Sequence, residues 1–469
     1  MNEKWKEFLE AVEKKCPQTH IYTQPEERLI YSHGCYPREY KWLLQGDYPY
    51  LTRAVVSPAD ETEISEIVKL ANEYEVGIIP YGGGSGIVGG TIPYQGEIMI
   101  DVKRLQDFSI NIVNGTARGG AGLTGAEFEN LLNEHGYTAG QYPQSFQSAC
   151  LGGMTATRAI GTFSTKYGKM DDMVTALNVV LPNGDIFHSH LAPKRSTGPE
   201  LNQVFLGSEG VYGIITSVEM KIYPVAETRI FQAYTFPSTH DGLNAIRNFI
   251  HKGLRPAVVR LYDEVEAVPK IASYGFEKGF VLLILVFEGN KEMSELEARM
   301  TKEICLGNNG RYKGELAARE WLATRFSTKK MLDFDAIKGG TADAIEVAAP
   351  WDCIENVWRE MRKALEPMCT VVDCHFSHVY HNGASVYVIY HAKTGGDDKA
   401  GEERYLQCLD TAITTSLKYG GNVSHHHGVG TAKAKYMEAE HGKAGVYVMK
   451  ALKDAIDPKG IVNKGVLGL

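Results

Sequence analysis

The stretch Pro80-Tyr81-Gly82-Gly83-Gly84-Ser85-Gly86-Ile87-Val88-Gly89-Gly90 decides how the rest of this chain is interpreted. It follows the apolar run from Val76 to Ile79, so the chain leaves a predicted strand and enters a glycine loop. Glycine adopts positive φ at little steric cost, and successive backbone N–H groups of such a loop can turn toward one anion. The stretch therefore predicts a phosphate-binding loop built from main-chain amides.

Two common nucleotide-binding loops do not fit this stretch. No Lys-Ser or Lys-Thr pair follows the glycines, as a P-loop requires. The next residues, Thr91-Ile92-Pro93 and then Ile98-Met99-Ile100-Asp101, are typical of a turn and a strand, whereas a dinucleotide-binding βαβ unit continues into a helix. A glycine-rich surface turn stays open as the alternative while the loop is taken by itself.

Composition narrows the class of protein. A chain of 469 residues predicts two or three domains. Hydrophobic residues at 43% and charged residues at 23% are ordinary for a soluble globular protein. A formal net charge of -8 argues against nucleic acid or an anionic membrane as a partner. The 8 cysteines form no CxxC pair, which indicates reduced thiols and no iron–sulfur or zinc site.

The start of the chain predicts a cytoplasmic protein. Residues 1–7 are mostly charged and lack the apolar core of a signal peptide. No apolar run is long enough to span a bilayer, and the densest, Phe280 to Phe287, is typical of a buried strand. A predicted amphipathic helix from Trp5 to Lys14 leaves peripheral contact with a membrane open. A homodimer is compatible with the sequence.

Local patterns predict the elements around the loop. A strand over 53–56 and a helix that starts near Asp60 and ends before Gly77 form a βαβ unit that leads into the loop, after a loop-rich stretch that extends to about Tyr50. Short strands and glycine-rich turns are predicted up to Tyr223. Past Pro224 the longer alternations predict a second, α+β domain, and the last helix is expected from about Ala444.

Several stretches after the glycine loop have to be considered together. They are Gln144-Ser145 after Pro143, Cys150-Leu151-Gly152-Gly153-Met154, Ala159-Ile160-Gly161, Tyr167-Gly168, and Leu206-Gly207-Ser208-Glu209-Gly210-Val211-Tyr212-Gly213-Ile214-Ile215-Thr216. In this order and spacing, the chain resembles flavoproteins of the vanillyl-alcohol oxidase type over nearly its whole length. Further motifs are similar to the alkylglycerone-phosphate synthases and the FAD-linked 2-hydroxy acid oxidases and dehydrogenases of that type. These are Arg195-Ser196-Thr197-Gly198-Pro199-Glu200, Arg260-Leu261-Tyr262-Asp263, Ala349-Pro350-Trp351-Asp352 and Ser424-His425-His426-His427-Gly428-Val429-Gly430.

The resemblance implies an α+β fold: a two-subdomain FAD-binding domain of the vanillyl-alcohol oxidase type with an α+β substrate, or cap, domain. The implied segments are 1–48, an N-terminal helix and extension; 49–225, the FAD-binding domain; 226–418, the substrate domain; and 419–469, a C-terminal segment that returns to the flavin site.

The resemblance also implies the cofactor site. The loop at 82–86 would hold the FAD pyrophosphate, residues 145–155 would line the phosphate and flavin path, and Glu209 and Ile215 would lie toward the adenosine. Backbone N–H groups and small hydroxyls suit a diphosphate, because they supply donors without burying unpaired lysines. FAD is expected to be non-covalent, since the glycine loop holds no histidine. The expected cofactor-binding residues are Pro80, Gly82, Gly83, Gly84, Ser85, Gly86, Pro143, Ser145, Ser148, Gly152, Gly153, Thr155, Ala159, Glu209, Gly213 and Ile215.

Tyr387 is the first candidate catalytic residue. In the predicted strand Ser385 to His391, alternate side chains share a face, so Tyr387 and His391 lie on the same side. Tyr387 matches the active-site tyrosine of the family, and a phenol beside a flavin can pass a proton to or from a substrate oxygen. The alternative is a tyrosine that only packs in a strand.

The triplet His425-His426-His427 is the second candidate. Histidine titrates near neutral pH and can act as a base or orient an oxyanion. A zinc site is the weaker alternative, since no nearby Cys or carboxylate completes a tetrahedral set, and no metal is predicted. Of the other histidines, His375, His378 and His381 are interpreted as solvated or core side chains.

Arg260 is the third candidate. It matches an arginine beside the flavin pocket of the family and suits a carboxylate or phosphate substrate. A structural ion pair with Asp263 or Glu264 is the alternative. One departure concerns a second arginine of the alkylglycerone-phosphate synthases, whose position falls on Leu332, with Lys329 and Lys330 nearby.

Three functions follow from these residues. The first is an FAD-dependent oxidoreductase that oxidises a small 2-hydroxy acid or alcohol by hydride transfer to flavin N5 and passes electrons to oxygen, a quinone or an electron acceptor protein. The alternative is an alkylglycerone-phosphate synthase, which forms an ether lipid through a flavin adduct without net redox change. The third is an FAD-binding electron-transfer protein without its own substrate.

Overall fold

The computed structural model describes residues 4–46, 48–277, 280–327 and 339–469. The chain forms two compact units. The first unit consists of Met1–Ile160, Lys169–Tyr223 and His426–Leu469, and the second of Gly161–Gly168 and Pro224–His425. The first unit is therefore assembled from three separate stretches of chain.

The helices of the described residues, in chain order, are α1 Lys4–Lys15, α2 Pro25–Ser32, α3 Pro37–Gln45, α4 Glu61–Tyr74, α5 Gly125–Glu134, α6 Leu151–Ala156, α7 Ser164–Tyr167, α8 Met170–Met173, α9 Asn202–Phe205, α10 Thr239–His251, α11 Ala267–Ser273, α12 Lys291–Gly307, α13 Leu316–Thr324, α14 Ile354–Leu365, α15 Asp398–Lys418 and α16 Met437–Ile456. Short 3₁₀ turns follow at Glu366–Met368, Ala434–Tyr436 and Val466–Gly468.

The strands are β1 His20–Tyr22, β2 Val55–Ser57, β3 Ile78–Tyr81, β4 Ile98–Asp101, β5 Phe108–Asn111, β6 Thr116–Gly120, β7 Tyr137–Thr138, β8 Val174–Val180, β9 Ile186–His188, β10 Ile214–Lys221, β11 Tyr223–Pro224, β12 Thr228–Phe236, β13 Val258–Tyr262, β14 Val281–Gly289, β15 Arg311–Tyr312, β16 Gly340–Pro350, β17 Val371–Phe376, β18 Val379–Tyr380 and β19 Gly383–Lys393.

A four-stranded sheet of the first unit, in the order β1-β2-β4-β3, carries the glycine loop. Strands β2 and β3 both run parallel to β4, so the predicted βαβ unit that leads into the loop is confirmed. Helix α4 begins after Asp60, whose side chain accepts a hydrogen bond from the Glu63 N–H at 2.9 Å. Its apolar side chains, including Ile64 and Ile67, are buried in the core beneath this sheet.

The C-terminal tail completes the first unit. Val462 forms a bridge with Ile78, at the edge strand β3 of the sheet, and the Asn463 N–H donates to the Ile78 carbonyl at 2.9 Å. Behind it, the buried Lys453 pairs with Asp457 at 2.6 Å. The Lys453 ammonium also donates to the carbonyls of Val211 and Val462, so all three of its donors are satisfied.

A second sheet of the first unit is antiparallel, in the order β5-β6-β10-β8-β9. Helices α5 and α6 contribute Phe128, Leu132 and Met154 to its core, together with Leu177 and Val218 of the sheet. Thr124 caps α5 by a reciprocal capping box with Glu127, which is why the helix begins there.

The second unit is built on an antiparallel sheet in the order β15-β12-β14-β13-β17-β19-β16, with β18 paired to β19. The apolar run near 280–287 is β14, whose residues Val281 to Glu288 are all buried, as predicted. The pattern that predicted a strand before His391 is β19, and the alternation is confirmed: Tyr387, Ile389 and His391 are half-buried between fully buried neighbours.

One local prediction is wrong. The stretch expected to be loop-rich to Tyr50 contains α2 and α3, which begin at Pro25 and Pro37, where proline sits in the first helical turn. Helix α16 is assigned from Met437, but Gly442, at φ 68°, is not helical and breaks it. The part after this break agrees with the last helix expected from about Ala444.

Among the described residues, no helix is long and apolar enough to cross a membrane.

Candidate active site

The glycine loop packs directly on the chain segment before α6. A Cβ on Gly83 would overlap the Ser148 carbonyl oxygen and lie 2.7 Å from its carbonyl carbon. A Cβ on Gly82 would lie 3.2 Å from the Cys150 Cβ. Glycine is therefore required here, because two backbone segments approach more closely than any side chain allows.

The glycine loop has open space beside Gly86. A Cβ on Gly86 would meet no atom within 4 Å, and the same holds for Gly153 in α6. A loop that is closely packed at Gly83 and open at Gly86 offers its main chain to a group lying against it. These residues fit the diphosphate of a dinucleotide, whose charges backbone N–H groups can receive.

The N-terminal extension supports this loop through Glu39, which sequence reasoning missed. The Cys35 N–H donates to the Gly86 carbonyl at 2.9 Å. The buried Glu39 carboxylate accepts from the Gly34 N–H at 3.1 Å and from the Tyr48 hydroxyl at 2.7 Å. Burial raises the pKa of Glu39, while these donors oppose the rise. A lone Glu in a stretch predicted to be loop-rich gives no signal of such a role.

The other predicted cofactor residues lie around α6 and at the end of the antiparallel sheet. Ser145 accepts from the Ser148 N–H at 2.9 Å, in the turn that begins at Pro143. Thr155 is buried and donates to the Leu151 carbonyl at 2.7 Å. Gly213 has φ 148° and packs against Val179, where a Cβ would lie 2.7 Å from a methyl group. The remaining residues of the predicted set lie in the first unit as well: Pro80, Gly84, Ser85, Gly152, Ala159, Glu209 and Ile215.

Glu209 links the predicted cofactor motif to the histidine tail. Its backbone has φ 49°, and its carboxylate accepts from the N–H groups of Val429 at 2.7 Å and Gly430 at 2.8 Å. Burial raises the pKa of Glu209 to about 7, and the two N–H groups partly oppose this. The carboxylate expected toward the adenosine thus holds the turn that follows the triplet.

The histidine triplet lies where the chain passes from the second unit to the first. In the first unit, the rings of His426 and His427 lie 4.5 Å apart, edge to face. In the second unit, His425 Nε2 lies 2.7 Å from the Tyr380 hydroxyl, and its ring stacks on His378 at 5.4 Å. Ser164 in turn contacts His378 Nδ1 at 2.9 Å. Among the described residues, no group of three or more His, Cys, Asp or Glu side chains could hold a metal ion.

Arg260 and Tyr387 belong to one network of the second unit, whose other members, Glu266 and His375, are buried. His375 Nδ1 lies 3.1 Å from Arg260 Nη2 and 2.8 Å from Glu266 Oε2. The His375 ring stacks on Tyr387, with centroids 4.6 Å apart and planes 20° apart. The ion pair considered for Arg260 is not formed, since Asp263 pairs with Arg362 and Glu264 accepts from Thr239.

The charges of this network follow from its burial. His375 is 3% exposed, and burial and Arg260 lower its pKa to about 4 against the opposing effect of Glu266. Burial alone raises the pKa of Glu266, but His375, Lys270 and Arg260 outweigh it and lower that pKa. Burial, then Asp343 and Glu346, raise the pKa of Tyr387. At neutral pH the network therefore holds an ionised Glu266, a neutral His375 and a protonated phenol.

A small pocket opens beside Arg260 in the second unit. Its lining combines apolar, aromatic and polar side chains: Thr162, Val258, Val259, Arg260, Trp321, Ser377 and His378. Arg260 Nε is buried and has no hydrogen-bond partner among the described residues. A guanidinium at the wall of such a pocket can receive an oxyanion.

Sequence reasoning named His375 and His378 only as solvated or core side chains, and it did not name Glu266. The strand pattern held a signal for the first, because the antiparallel pairing of β17 with β19 places His375 opposite Tyr387. Arg195, which lies in one of the motifs that carry the family resemblance, forms an ion pair with Glu200 at 2.7 Å. Leu332, Lys329 and Lys330 lie outside the described residues.

Acid should weaken the folding of the second unit through His375. An unfolded chain protonates this histidine near pH 6.5, whereas the folded chain does so near pH 4. The contribution of His375 to the free energy of unfolding is complete above pH 6.5. As the pH falls toward 4, only the unfolded chain gains the proton, so the free energy of unfolding decreases by about 3 kcal/mol. Urea unfolding followed by tryptophan fluorescence at pH 7.5 and 4.5 should show the loss, and His375→Phe should reduce it. An equal loss in both proteins would contradict the assignment.

Known proteins resemble this chain in both sequence and fold. Residues 52–190 match the model of a FAD binding domain, and residues 226–467 match the C-terminal domain of FAD linked oxidases. The chain is 30% identical to an alkyldihydroxyacetonephosphate synthase of Caenorhabditis elegans, over 92% of this chain and 79% of that protein. It is 28% identical to a mitochondrial D-lactate dehydrogenase [cytochrome] of Arabidopsis thaliana, over 88% and 73%. A solved alkyldihydroxyacetonephosphate synthase superposes with a TM-score of 0.81 at 25% identity, covering 98% of this chain and 84% of that one.

Proposed function

We propose a function from one established premise: this chain belongs to the family of FAD-linked oxidases. FAD is accordingly its cofactor, and the predicted fold of the vanillyl-alcohol oxidase type is confirmed. The glycine loop at 82–86, Ser145 and Ser148 are proposed to hold the diphosphate, with Gly152, Gly153 and Thr155 along the flavin path. The close packing at Gly83 and the open space at Gly86 support this.

The reaction that the site supports best is alkyl-dihydroxyacetone phosphate synthesis, the alternative and not the first of the sequence-based hypotheses. An acyl-dihydroxyacetone phosphate would lose its fatty acid by cleavage of a C–O bond. The oxygen of a fatty alcohol would form the new C–O bond and release its proton, so no net oxidation occurs. Bound FAD supplies the reactive ring at which the substrate carbon is activated.

One observation carries this proposal: the Arg260 guanidinium, with its unpartnered Nε, lies at the wall of a small pocket. The proposed occupant of this pocket is the phosphate headgroup and not the fatty chain. Arg260 would bind the phosphate, and Trp321 would pack on the carbon skeleton. Tyr387 would donate its phenolic proton to a substrate oxygen, since its raised pKa keeps it protonated.

Oxidation of a 2-hydroxy acid is the second candidate. The similarity to a D-lactate dehydrogenase and the apolar Leu332 favour it. The substrate carboxylate would then occupy the Arg260 pocket, and a histidine of the triplet would accept the hydroxyl proton. Two electrons and the hydrogen of the C–H bond would pass to the cofactor, and an acceptor such as a quinone would later remove the electrons.

An anaerobic substrate panel tests both candidates on the FAD-loaded protein. Release of fatty acid and formation of an ether-linked product from acyl-dihydroxyacetone phosphate and hexadecanol, with no lasting loss of flavin absorbance, would support the synthase. Bleaching of the flavin by D-lactate or another 2-hydroxy acid, with formation of the 2-oxo acid, would replace it with the second candidate. Silence with both substrate classes would overturn both.

A further inference from the structure

We propose that Glu266 and His375 are positioning residues that fix Arg260 and Tyr387 for an oxyanion-bearing substrate. The inference rests on the proposed function and adds two residues to it. Both side chains are almost completely buried in the second unit, Glu266 at 8% and His375 at 3% exposure.

The position of one proton carries the argument. His375 Nδ1 has two neighbours, Glu266 Oε2 at 2.8 Å and Arg260 Nη2 at 3.1 Å. A neutral imidazole nitrogen either donates one N–H or accepts with one lone pair. An ionised carboxylate can only accept, so Nδ1 must carry the proton and donate it to Glu266. It then has no lone pair in the ring plane for Arg260.

The Arg260 guanidinium also interacts with the Tyr262 side chain, and its Nε stays open for another acceptor. Its Nη2 contacts a nitrogen that is already protonated, and its Nε is buried without a partner among the described residues. Nε and Nη2 form the side edge of the guanidinium, which receives a carboxylate or phosphate through two parallel hydrogen bonds. Since Arg260 lines the pocket with Trp321 and His378, an oxyanion in that pocket satisfies both donors.

Glu266 is held from two sides, which makes the pair rigid. Its Oε1 pairs with Lys270 at 3.2 Å, while its Oε2 holds His375. His375 in turn lies flat against Tyr387, with ring centroids 4.6 Å apart. The other charged groups nearby are Asp263, which pairs with Arg362, and Asp373. The ring of His375 thus has two separable tasks: its N–H is fixed on Glu266, and its face supports the phenol of Tyr387.

Substitutions at His375 separate these tasks. His375→Phe keeps an aromatic face for Tyr387 but loses the N–H, whereas His375→Ala loses both. We expect His375→Phe and Glu266→Gln to weaken binding of dihydroxyacetone phosphate or D-lactate at least 10-fold by calorimetry, with neutral glycerol unaffected. His375→Ala should in addition lower kcat well below that of His375→Phe. His381→Phe is the matched control, because it makes the same change at an exposed histidine in the turn that follows β18.

A double-substitution cycle with Arg260→Lys distinguishes positioning from general damage. If His375 acts through Arg260, adding His375→Phe to Arg260→Lys should change the Kd for the oxyanion less than 3-fold further. Unchanged oxyanion binding in His375→Phe, additive losses in the cycle, or equal kcat in the Phe and Ala variants would overturn the proposal. Calorimetry keeps this outcome distinct from failure of the proposed reaction, because a protein that turns over no tested substrate can still show the binding pattern. The dihydroxyacetone phosphate and D-lactate arms show whether the oxyanion is a phosphate or a carboxylate.

Discussion

Gly83→Ala is expected to strip the protein of FAD and to lower its free energy of unfolding by about 3 kcal/mol or more. The added Cβ would overlap the Ser148 carbonyl, which belongs to the backbone and cannot rotate away. Either the glycine loop or the segment from Ser148 to Cys150 must move, and both are proposed to line the diphosphate. The ratio of absorbance at 450 to 280 nm after gel filtration reports the flavin content, and thermal unfolding reports stability.

Gly86→Ala is the matched control, since a Cβ there meets no protein atom within 4 Å. The variant should fold with unchanged stability when flavin is removed. If the diphosphate lies against this part of the loop, the methyl group should weaken FAD binding without destabilising the apoprotein. A Gly83→Ala protein that keeps its flavin and its melting temperature would refute the packing argument.

Tyr387→Phe is expected to lower kcat by roughly 100- to 1,000-fold while FAD stays bound, because the variant removes a proton donor and keeps the ring. The ring also preserves the stack on His375. Steady-state kinetics on the FAD-loaded protein, with the substrate found active in the anaerobic panel, measures the effect. KM should change little, since Arg260 and not the phenol is proposed to bind the oxyanion.

Tyr390→Phe provides the comparison on the same strand. Tyr390 is fully buried on the opposite face of β19 and should tolerate loss of its hydroxyl without a comparable change in kcat. His426→Ala is expected to lose turnover and keep FAD, as a member of the proposed triplet. Full activity of Tyr387→Phe, or loss of its flavin, would remove Tyr387 from the proposed catalytic set.

Local patterns were enough for the elements that carry the site. Three local signals predicted elements that the structure contains: the apolar run before the glycines, the cap at Asp60 and the alternation from Ser385 to His391. Each of these signals depends on residues close in sequence. The βαβ unit could therefore be recognised without knowledge of its partners.

What escaped prediction depends on pairing between distant segments. His375 lies beside Tyr387 because β17 pairs with β19. Glu266, the residue before α11, lies within hydrogen-bond distance of His375. Neither contact has a local signature, since an isolated histidine or glutamate is usually solvated. Helices α2 and α3 were also missed, although each begins at a proline, a residue that often occupies the first helical turn.

The bridge between Ile78 and Val462 bears on how this protein emerges from the ribosome. The strand that leads into the glycine loop is made early, but one of its edges is covered only by residues synthesised nearly four hundred positions later. Until then the nascent chain carries an unprotected strand edge, the kind of surface that chaperones shield and that otherwise aggregates. Cofactor capture is therefore expected to follow release of the full-length chain and not to accompany its translation.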